Sequence, residues 1–239
     1  MRTNAHVPLS YNGWLRWELI RRLLPETGRF LEVGCGQGGL AVRLASRFDY
    51  TGYEPDGESF RVAQQRLGGR GMVINDFLPA EPDEVFDVLG AFEVLEHIEG
   101  DREALEAWRR WLTPGGRLML SVPSHQVRFG PADVAVGHYR RYERGDLQRM
   151  LRSLGFEEVT VLSYGFPIGF VLEFARNRVL PPDADFPLKE RTARSGRMLQ
   201  PASRAWVTEL ATAPFRWMQL PMCRTDIGTG YVVTARRSS

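Results

Sequence analysis

FLEVGCGQGG, residues 30–39, is an apolar run that passes directly into a glycine-rich turn, and this stretch decides how the rest of the chain is read. Glycine tolerates positive φ and leaves room where a Cβ would collide with a ligand. The helix that follows such a turn offers free N–H groups, so nucleotide-like cofactors bind there. Glu54 gives the turn meaning. It ends the next apolar run, YTGYEP, twenty residues after Gly34, where a carboxylate can accept hydrogen bonds from the two hydroxyls of a ribose.

Gly34, Gly36 and Gly39 also satisfy the dinucleotide pattern GxGxxG, so spacing alone leaves the ligand open. Glu32 separates the alternatives. It stands two residues before the first glycine and gives E-x-G-x-G-x-G through Gly38. An acid there disfavours a pyrophosphate and suits a cation. This pattern resembles the first motif of class I S-adenosylmethionine (SAM) methyltransferases, whose cofactor carries a sulfonium and an ammonium group and no phosphate.

The resemblance continues in the family's order over most of residues 28–162. Asn75-Asp76-Phe77, after the short run GMVI, is similar to the adenine-side segment. There the family uses an acid to receive the exocyclic amine and an aromatic or apolar side chain to cover the ring. FDVLGAFEVLEHI (86–98) resembles the fourth strand and post-strand motif, and LTPGGRLMLSVPS (112–124) the turn and fifth strand. HYRRYERGDLQRMLRSLGF (138–156) resembles the segment before the sixth strand in small-molecule members close to the ubiquinone-pathway O-methyltransferases. The resemblance implies a Rossmann-like α/β fold with a seven-stranded, mostly parallel sheet and an antiparallel last strand. It also implies SAM as cofactor, with Gly34, Gly36, Gly38, Glu54, Asp76, Phe77 and Phe92 around it. Glu32 either fixes the turn from behind or reaches the ammonium group.

Bulk properties agree with one α/β domain. The chain has 239 residues, 43% of them hydrophobic and 25% charged, which is ordinary globular composition. A formal charge of +2, with Arg and Glu mixed along most of the chain, argues against nucleic acid as substrate. Cys35 and Cys223 are the only cysteines, too few for a disulfide framework or a CxxC metal site, and they fit a reducing cytoplasm. MRTNAHVPLS lacks an apolar signal-peptide core, and the longest apolar stretch, GFPIGFVLEFA, is interrupted by Glu173, so a soluble, unexported protein is expected.

A first helix is expected over about 14–24, ending at Pro25, and residues 1–27 are read as a lid over the cofactor. Strands and helices then alternate: strand 30–33, helix 38–47, strand 50–53, helix 58–67 and strand 72–74. Asp101 is read as the cap of the next helix, with Leu105, Trp108 and Leu112 as one core stripe. A helix over 146–154, a strand over 157–163 and a last strand over 230–235 follow. Roughly sixty residues separate those two strands, where most connections take a handful. Residues 165–228 are therefore expected to form a helical cap inserted in a single domain. One apolar stripe joins Ile168, Val171, Leu172, Ala175 and Val179, a second joins Ala202, Ala205, Trp206 and Leu210, and PPDADFPLKERTARSGR between them reads as an exposed loop.

Methyl transfer is an in-line displacement, so the protein has to align a nucleophile and manage one proton. Glu93, Glu96 and His97 follow the fourth strand, where the acceptor would meet SAM. Three readings stay open for them. His97 is a general base for a hydroxyl; or the cluster holds Mg²⁺, as in metal-binding relatives such as small-RNA 3′-terminal methyltransferases, with His138 or His125 completing it; or it caps the next helix. In GHYRRY (137–142), His138 or Tyr139 can meet the nucleophile and Arg140 or Arg141 an acidic substrate group, or the run is a solvated loop. Tyr11 either touches a ligand or packs as a staple. Trp206, Phe215, Trp217 and Met218, interleaved with Arg204, Arg216 and Arg224, read as a pocket lining for an apolar acceptor, or less strongly as a surface resting on a membrane.

The leading expectation is an enzyme that moves the SAM methyl group to a hydroxyl, before an amine or carbon, of a small molecule such as a quinone, natural product or lipid-like acceptor. The alternatives are a Mg-dependent enzyme acting on an RNA terminus or diol, and a non-catalytic SAM-binding partner protein. A nicotinamide dehydrogenase is disfavoured by Glu32 and by the absence of a Tyr-x-x-x-Lys pair, since the one lysine is Lys189 with Asp185 four residues before it.

Overall fold

The computed structural model of the chain describes residues 9–179 and 205–239. The loop expected over 181–197 lies outside them, as do Ala202, Arg204 and the side chains of Ala175, Val179, Ala205 and Trp206.

Seven strands form one sheet in the order β3-β2-β1-β4-β5-β7-β6. They are β1 (Arg29–Val33), β2 (Asp49–Tyr53), β3 (Met72–Ile74), β4 (Phe86–Phe92), β5 (Leu112–Pro123), β6 (Phe156–Tyr164) and β7 (Gly230–Arg237). Strands β1 to β5 pair in parallel, and β7 enters antiparallel between β5 and β6. The chain order reverses between β1 and β4, and in such sheets the ligand crevice lies beyond the carboxyl ends of the strands at that switch point. The central strands carry little but apolar side chains because both faces are covered. Leu31, Leu89, Leu118 and Leu120 lie in one core cluster, while Phe30, Val88 and Met119 lie in the other.

The helices are α1 (Tyr11–Leu23), α2 (Ala41–Leu44), α3 (Gly57–Leu67), α4 (Asp101–Arg110), α5 (Pro131–Val136), α6 (Arg144–Ser153), α7 (Ile168–Val179) and α8 (Ala205–Met218). Ser10 caps α1 by accepting from Gly13 N at 3.1 Å, and Asp56 caps α3 by accepting from Ser59 N at 2.9 Å. The expected helix over 38–47 shrinks to the four residues of α2, since the glycine turn occupies its first part.

Two expectations at α4 are corrected. Asp101 is its first residue, behind Gly100, and supplies no cap; its carboxylate pairs with Arg140 at 2.7 Å and accepts from the Tyr142 hydroxyl at 3.0 Å. Leu112 is outside the helix: α4 stops at Arg110, and Leu112 pairs with Phe86 as the first residue of β5. The β4–β5 register then jumps to Val88 opposite Arg117, so Thr113, Pro114, Gly115 and Gly116 form a bulge.

The insertion between β6 and β7 opens with α7 and closes with α8, which packs against α1. Gln219, just past α8, is buried and donates to Leu15 O at 2.9 Å while accepting from Gly165 N at 3.2 Å. One amide side chain thus ties α8 to the leading helix and to the start of the insertion. Of the two apolar stripes expected in the insertion, Val171, Leu172 and Leu210 are exposed.

Candidate functional site

The glycine turn leaves β1 with Gly34, Gly36 and Gly38 all at positive φ, +68°, +54° and +77°. Their reasons for being glycine differ. A Cβ on Gly34 would stand 2.7 Å from Val94 Cγ2, and one on Gly38 would stand 3.1 Å from the Ala63 Cα, so both are demanded by packing. At Gly36 a Cβ would meet nothing within 4 Å, and that open side faces a cavity. Glu54, buried at the end of β2, closes the turn: its carboxylate accepts from Gly36 N at 2.7 Å and from Asp56 N at 2.9 Å. Burial raises its pKa, and the two N–H donors offset only part of that.

Glu32 lies beneath the turn and is 2% exposed. The Tyr50 hydroxyl donates to it at 2.6 Å. Burial pushes its carboxyl up to about 7, against the pull of Tyr50 and of Arg16. Cys35 is raised well above its ordinary value by burial and by Glu32 and Glu54, so it stays a thiol.

The cavity has a volume of about 1140 Å³. At one end it is lined by Gly34, Gly36, Glu54, Asp76, Phe77 and Phe92; at the other it reaches Glu93, His97 and His138. The proposed cofactor residues therefore share one cavity wall with the proposed catalytic ones. Phe77 is 72% exposed, so nothing in the fold itself occupies its face. Gly38 is absent from the lining and acts from behind the turn. Tyr11, the first residue of α1, contributes to the wall.

At Glu93 the chain leaving β4 turns through φ +59°, in the left-handed region, which aims the side chain across the sheet end. Arg16 of α1 pairs with it at 3.0 Å, and Ser121 and Tyr164 donate to the same Oε1 at 3.0 and 3.2 Å. Burial opposes its charge, yet Arg16, His138 and the two hydroxyls together hold the carboxyl below its ordinary value. Glu96, one short turn later, is fully buried, and neither of its carboxylate oxygens has a hydrogen-bond partner. Burial and the Glu93 charge push its carboxyl well above the usual range.

His97 Nδ1 lies 3.2 Å from Gly137 O. A carbonyl can only accept, so Nδ1 carries the hydrogen and Nε2 keeps the lone pair. Burial, with His138 beside it, lowers His97 to about 4, so the ring is neutral. His138 packs edge-on against it with centroids 4.7 Å apart. His138 Nδ1 is 2.8 Å from Asp133, itself held down to about 2 despite burial by His138, the Arg141 guanidinium and the Gly130 N–H. Here too the acceptor fixes the tautomer, and Nε2 faces Glu96 Oε1 at 3.8 Å. Glu96, His97 and His138 each offer one ligand atom, all within 4.8 Å of one another.

Several expectations change. Neither arginine of GHYRRY is free for an acidic substrate group, because Arg140 pairs with Asp101 and Arg141 forms a two-pronged pair with Asp133, at 3.0 and 2.8 Å, and also reaches Glu173 of α7. Tyr139 is outside the cavity lining. His125 is engaged with Glu143 at 3.4 Å and is not part of the Glu96 cluster, and Glu93 is taken by Arg16. Among the described residues, the insertion reaches the cavity through Gly169, Leu172 and Glu173 of α7, and Phe215, Trp217 and Met218 do not line it. Arg16, Asp133 and Tyr164 were missed in the sequence. Arg16 was readable as the polar interruption of α1's apolar face; Asp133 and Tyr164 carry no local signal.

A family model described as a methyltransferase domain matches residues 12–161. The ubiquinone biosynthesis O-methyltransferase of Xylella fastidiosa is 34% identical over 125 residues, 48% of this chain and 50% of that protein. Phosphoethanolamine N-methyltransferase 3 of Arabidopsis thaliana is 29% identical over 143 residues, 55% of this chain and 29% of that protein. The match thus spans half or less of these curated relatives. Among solved structures, a SAM-dependent methyltransferase of Thermotoga maritima superposes with a TM-score of 0.60 over 95% of this chain and 90% of its own at 20% identity, a likeness of fold.

Proposed function

The chain belongs to the methyltransferase-domain family, whose cofactor is S-adenosylmethionine, and from that premise we propose that it transfers the SAM methyl group to a hydroxyl of a small molecule. The observation that carries this reading is the single cavity that begins at the open side of Gly36 and ends at Glu93, His97 and His138. The residues fit SAM: an open cradle at Gly36, a buried acid at Glu32 for a cationic group, Glu54 and Asp76 for hydroxyl and amine donors, and the uncovered Phe77 ring. When bound, SAM supplies an electrophilic methyl on a sulfonium. The protein's own residues orient the acceptor, exclude water and hold its proton.

We assign that proton to His138. Its Nδ1–H is anchored on ionised Asp133, which fixes the ring and stabilises the imidazolium formed when Nε2 takes a proton. His97, lowered to about 4, shapes the site as a neutral ring. Only an amine already neutral would attack without such a base, and the matched relatives include both O- and N-methyltransferases by name. The test is a SAM titration followed by turnover on paired hydroxyl and amine acceptors. His138→Gln should keep SAM affinity and lose hydroxyl turnover; exclusive turnover of amines would refute the hydroxyl reading.

A specific observation favours a second reading of the same end: the unpartnered carboxylate of Glu96 beside two histidines whose Nδ1 atoms are fixed by Gly137 and Asp133. Such backing groups orient imidazole ligands for a metal. Glu96, His97 and His138 would then hold a divalent cation, which would polarise the acceptor hydroxyl. Turnover that survives exhaustive chelation removes this version and leaves His138 as base.

A further inference from the structure

Helix α8 packs on the core through Phe215, with Leu220 just after it, and also leaves a stripe of apolar residues exposed on its other side. Thr212 and Gln219 are buried, and Arg216 lies over the Trp14 ring at 4.9 Å. Leu210, Trp217 and Met218 are 67, 65 and 53% exposed, and Met222, in the turn that follows, is 40% exposed. Ala211, Pro214 and Pro221 are exposed between them. Positions 210, 211, 214, 217, 218, 221 and 222 advance by three, four or one, so they continue as one stripe along the helix and its extension. An isolated exposed apolar residue needs no explanation, whereas a contiguous stripe with tryptophan marks a surface that something covers.

Arginines border the stripe. Arg22, at the end of α1, holds its guanidinium over the Trp217 ring at 5.6 Å. Arg21 and Arg22 share the one buried carboxylate of Glu18, which leaves a net positive charge there, and Arg224 is exposed beyond Met222. Glu209 is the acidic residue of α8. Tryptophan and methionine flanked by arginine suit the boundary between acyl chains and anionic headgroups, where the ring sits at the interface and the guanidinium meets phosphate. Among the described residues no helix is long and apolar enough to cross a membrane, so contact would be along the surface.

We propose that the outer face of α8 and the turn after it, Leu210 to Met222, docks on an anionic lipid surface. The stripe supplies the apolar contact and Arg21, Arg22 and Arg224 supply the charge complementarity. This docking does not depend on which acceptor is methylated, because no α8 residue among those described lines the cavity.

The test is flotation of the full chain with vesicles of phosphatidylethanolamine and phosphatidylglycerol, compared with phosphatidylcholine alone. Binding to the anionic vesicles is expected, and it should weaken with salt as the screening length falls from about 10 Å at 0.1 M to about 3 Å at 1 M. Leu210→Ser combined with Trp217→Ser should reduce vesicle affinity at least about tenfold, given roughly 0.8 kcal/mol for each buried methylene. Met222→Ser, at a site held by few neighbours, should give a smaller loss and guards against a folding defect in the double variant. SAM affinity should be unchanged in both variants. No flotation on anionic vesicles at low salt, or flotation indifferent to these substitutions, overturns the proposal. A concentration-dependent dimer in sedimentation that the double variant dissolves overturns it too, because the stripe would then be covered by a second copy of the chain.

Discussion

Replacing Glu32 with glutamine should stabilise the fold above neutral pH while weakening the site. The carboxyl is 2% exposed and titrates near 7 in the folded protein, against an ordinary value of 4.5. Its folded pKa is raised, so folding favours the protonated form. Stability is retained at low pH and lost as pH climbs from the unfolded to the folded value. That gap of about 2.5 pH, at about 1.4 kcal/mol for each, makes ionised Glu32 cost about 3 kcal/mol above pH 7. Glutamine is isosteric with the protonated acid and keeps a carbonyl to accept from the Tyr50 hydroxyl. The Glu32→Gln variant should therefore match the native chain near pH 4. At pH 8 it should melt about 6–12 °C higher, from about 2–4 °C per kcal/mol in a chain of this size. Thermal unfolding followed by circular dichroism across pH 4–8 measures this. SAM titration should move the other way: affinity of the native chain weakens as pH drops below about 7 and Glu32 takes up its proton, and the glutamine variant binds weakly throughout. Equal melting at pH 8, or a larger difference at pH 5 than at pH 8, would refute the reasoning.

Glu54→Ala removes the acceptor of the Gly36 and Asp56 N–H groups, and at about 1.5–3 kcal/mol for a hydrogen bond to a charged group SAM affinity should fall about 10–100-fold in calorimetry. Gly36→Ala and Gly38→Ala should separate binding from folding. The first adds a methyl group to open cavity space, and backbone strain of about 1 kcal/mol is its main folding cost, so it should fold and lose SAM; the second drives a Cβ to within 3.1 Å of Ala63 and should lower the melting temperature more. Arg141→Met leaves Asp133 buried without its two-pronged partner and should cost about 3–5 kcal/mol in urea unfolding, whereas a loss below about 1 kcal/mol would mean the pair is structurally dispensable.

The first half of the fold was legible because its signals are local. The β1–glycine–Glu54 unit needs residues that sit within two strands of each other, and β3 appears at 72–74 as the apolar pattern predicts. Boundaries that failed did so where tertiary contacts override local preference. Asp101 is a good cap residue by type, yet pairing with Arg140 and Tyr142 claims it, and Leu112 follows the helical spacing but is captured by Phe86 at the edge of β4. The far end of the cavity was harder to read because it is assembled from α1, the end of β4, α5, β6 and α7, and no sequence interval links Arg16 or Tyr164 to Glu93; Asp133 stands only five residues before His138, but nothing in the run DVAVGH marks the pair. The aromatic residues of α8 misled for the same reason: composition shows that Trp217 and Met218 are present, and only packing shows that they point away from the cavity.

Glu93 and Glu96 make the point most sharply, since they are one residue type three positions apart on the same turn. Glu93 gains Arg16, Ser121 and Tyr164 and stays an anion in spite of burial. That charge, with complete burial and no donor of its own, drives Glu96 toward the protonated state. A site with two carboxylates therefore presents one fixed negative charge, already balanced by Arg16, and one neutral acid beside two imidazoles. On the two readings proposed above, proton transfer would go with Glu96 protonated and metal binding with it ionised. Which form the protein uses turns on Arg16: if Arg16→Met frees Glu93 to share the proton, both the pH profile of turnover and its sensitivity to chelators should change together. A variant that alters neither would show that Arg16 serves α1 packing alone.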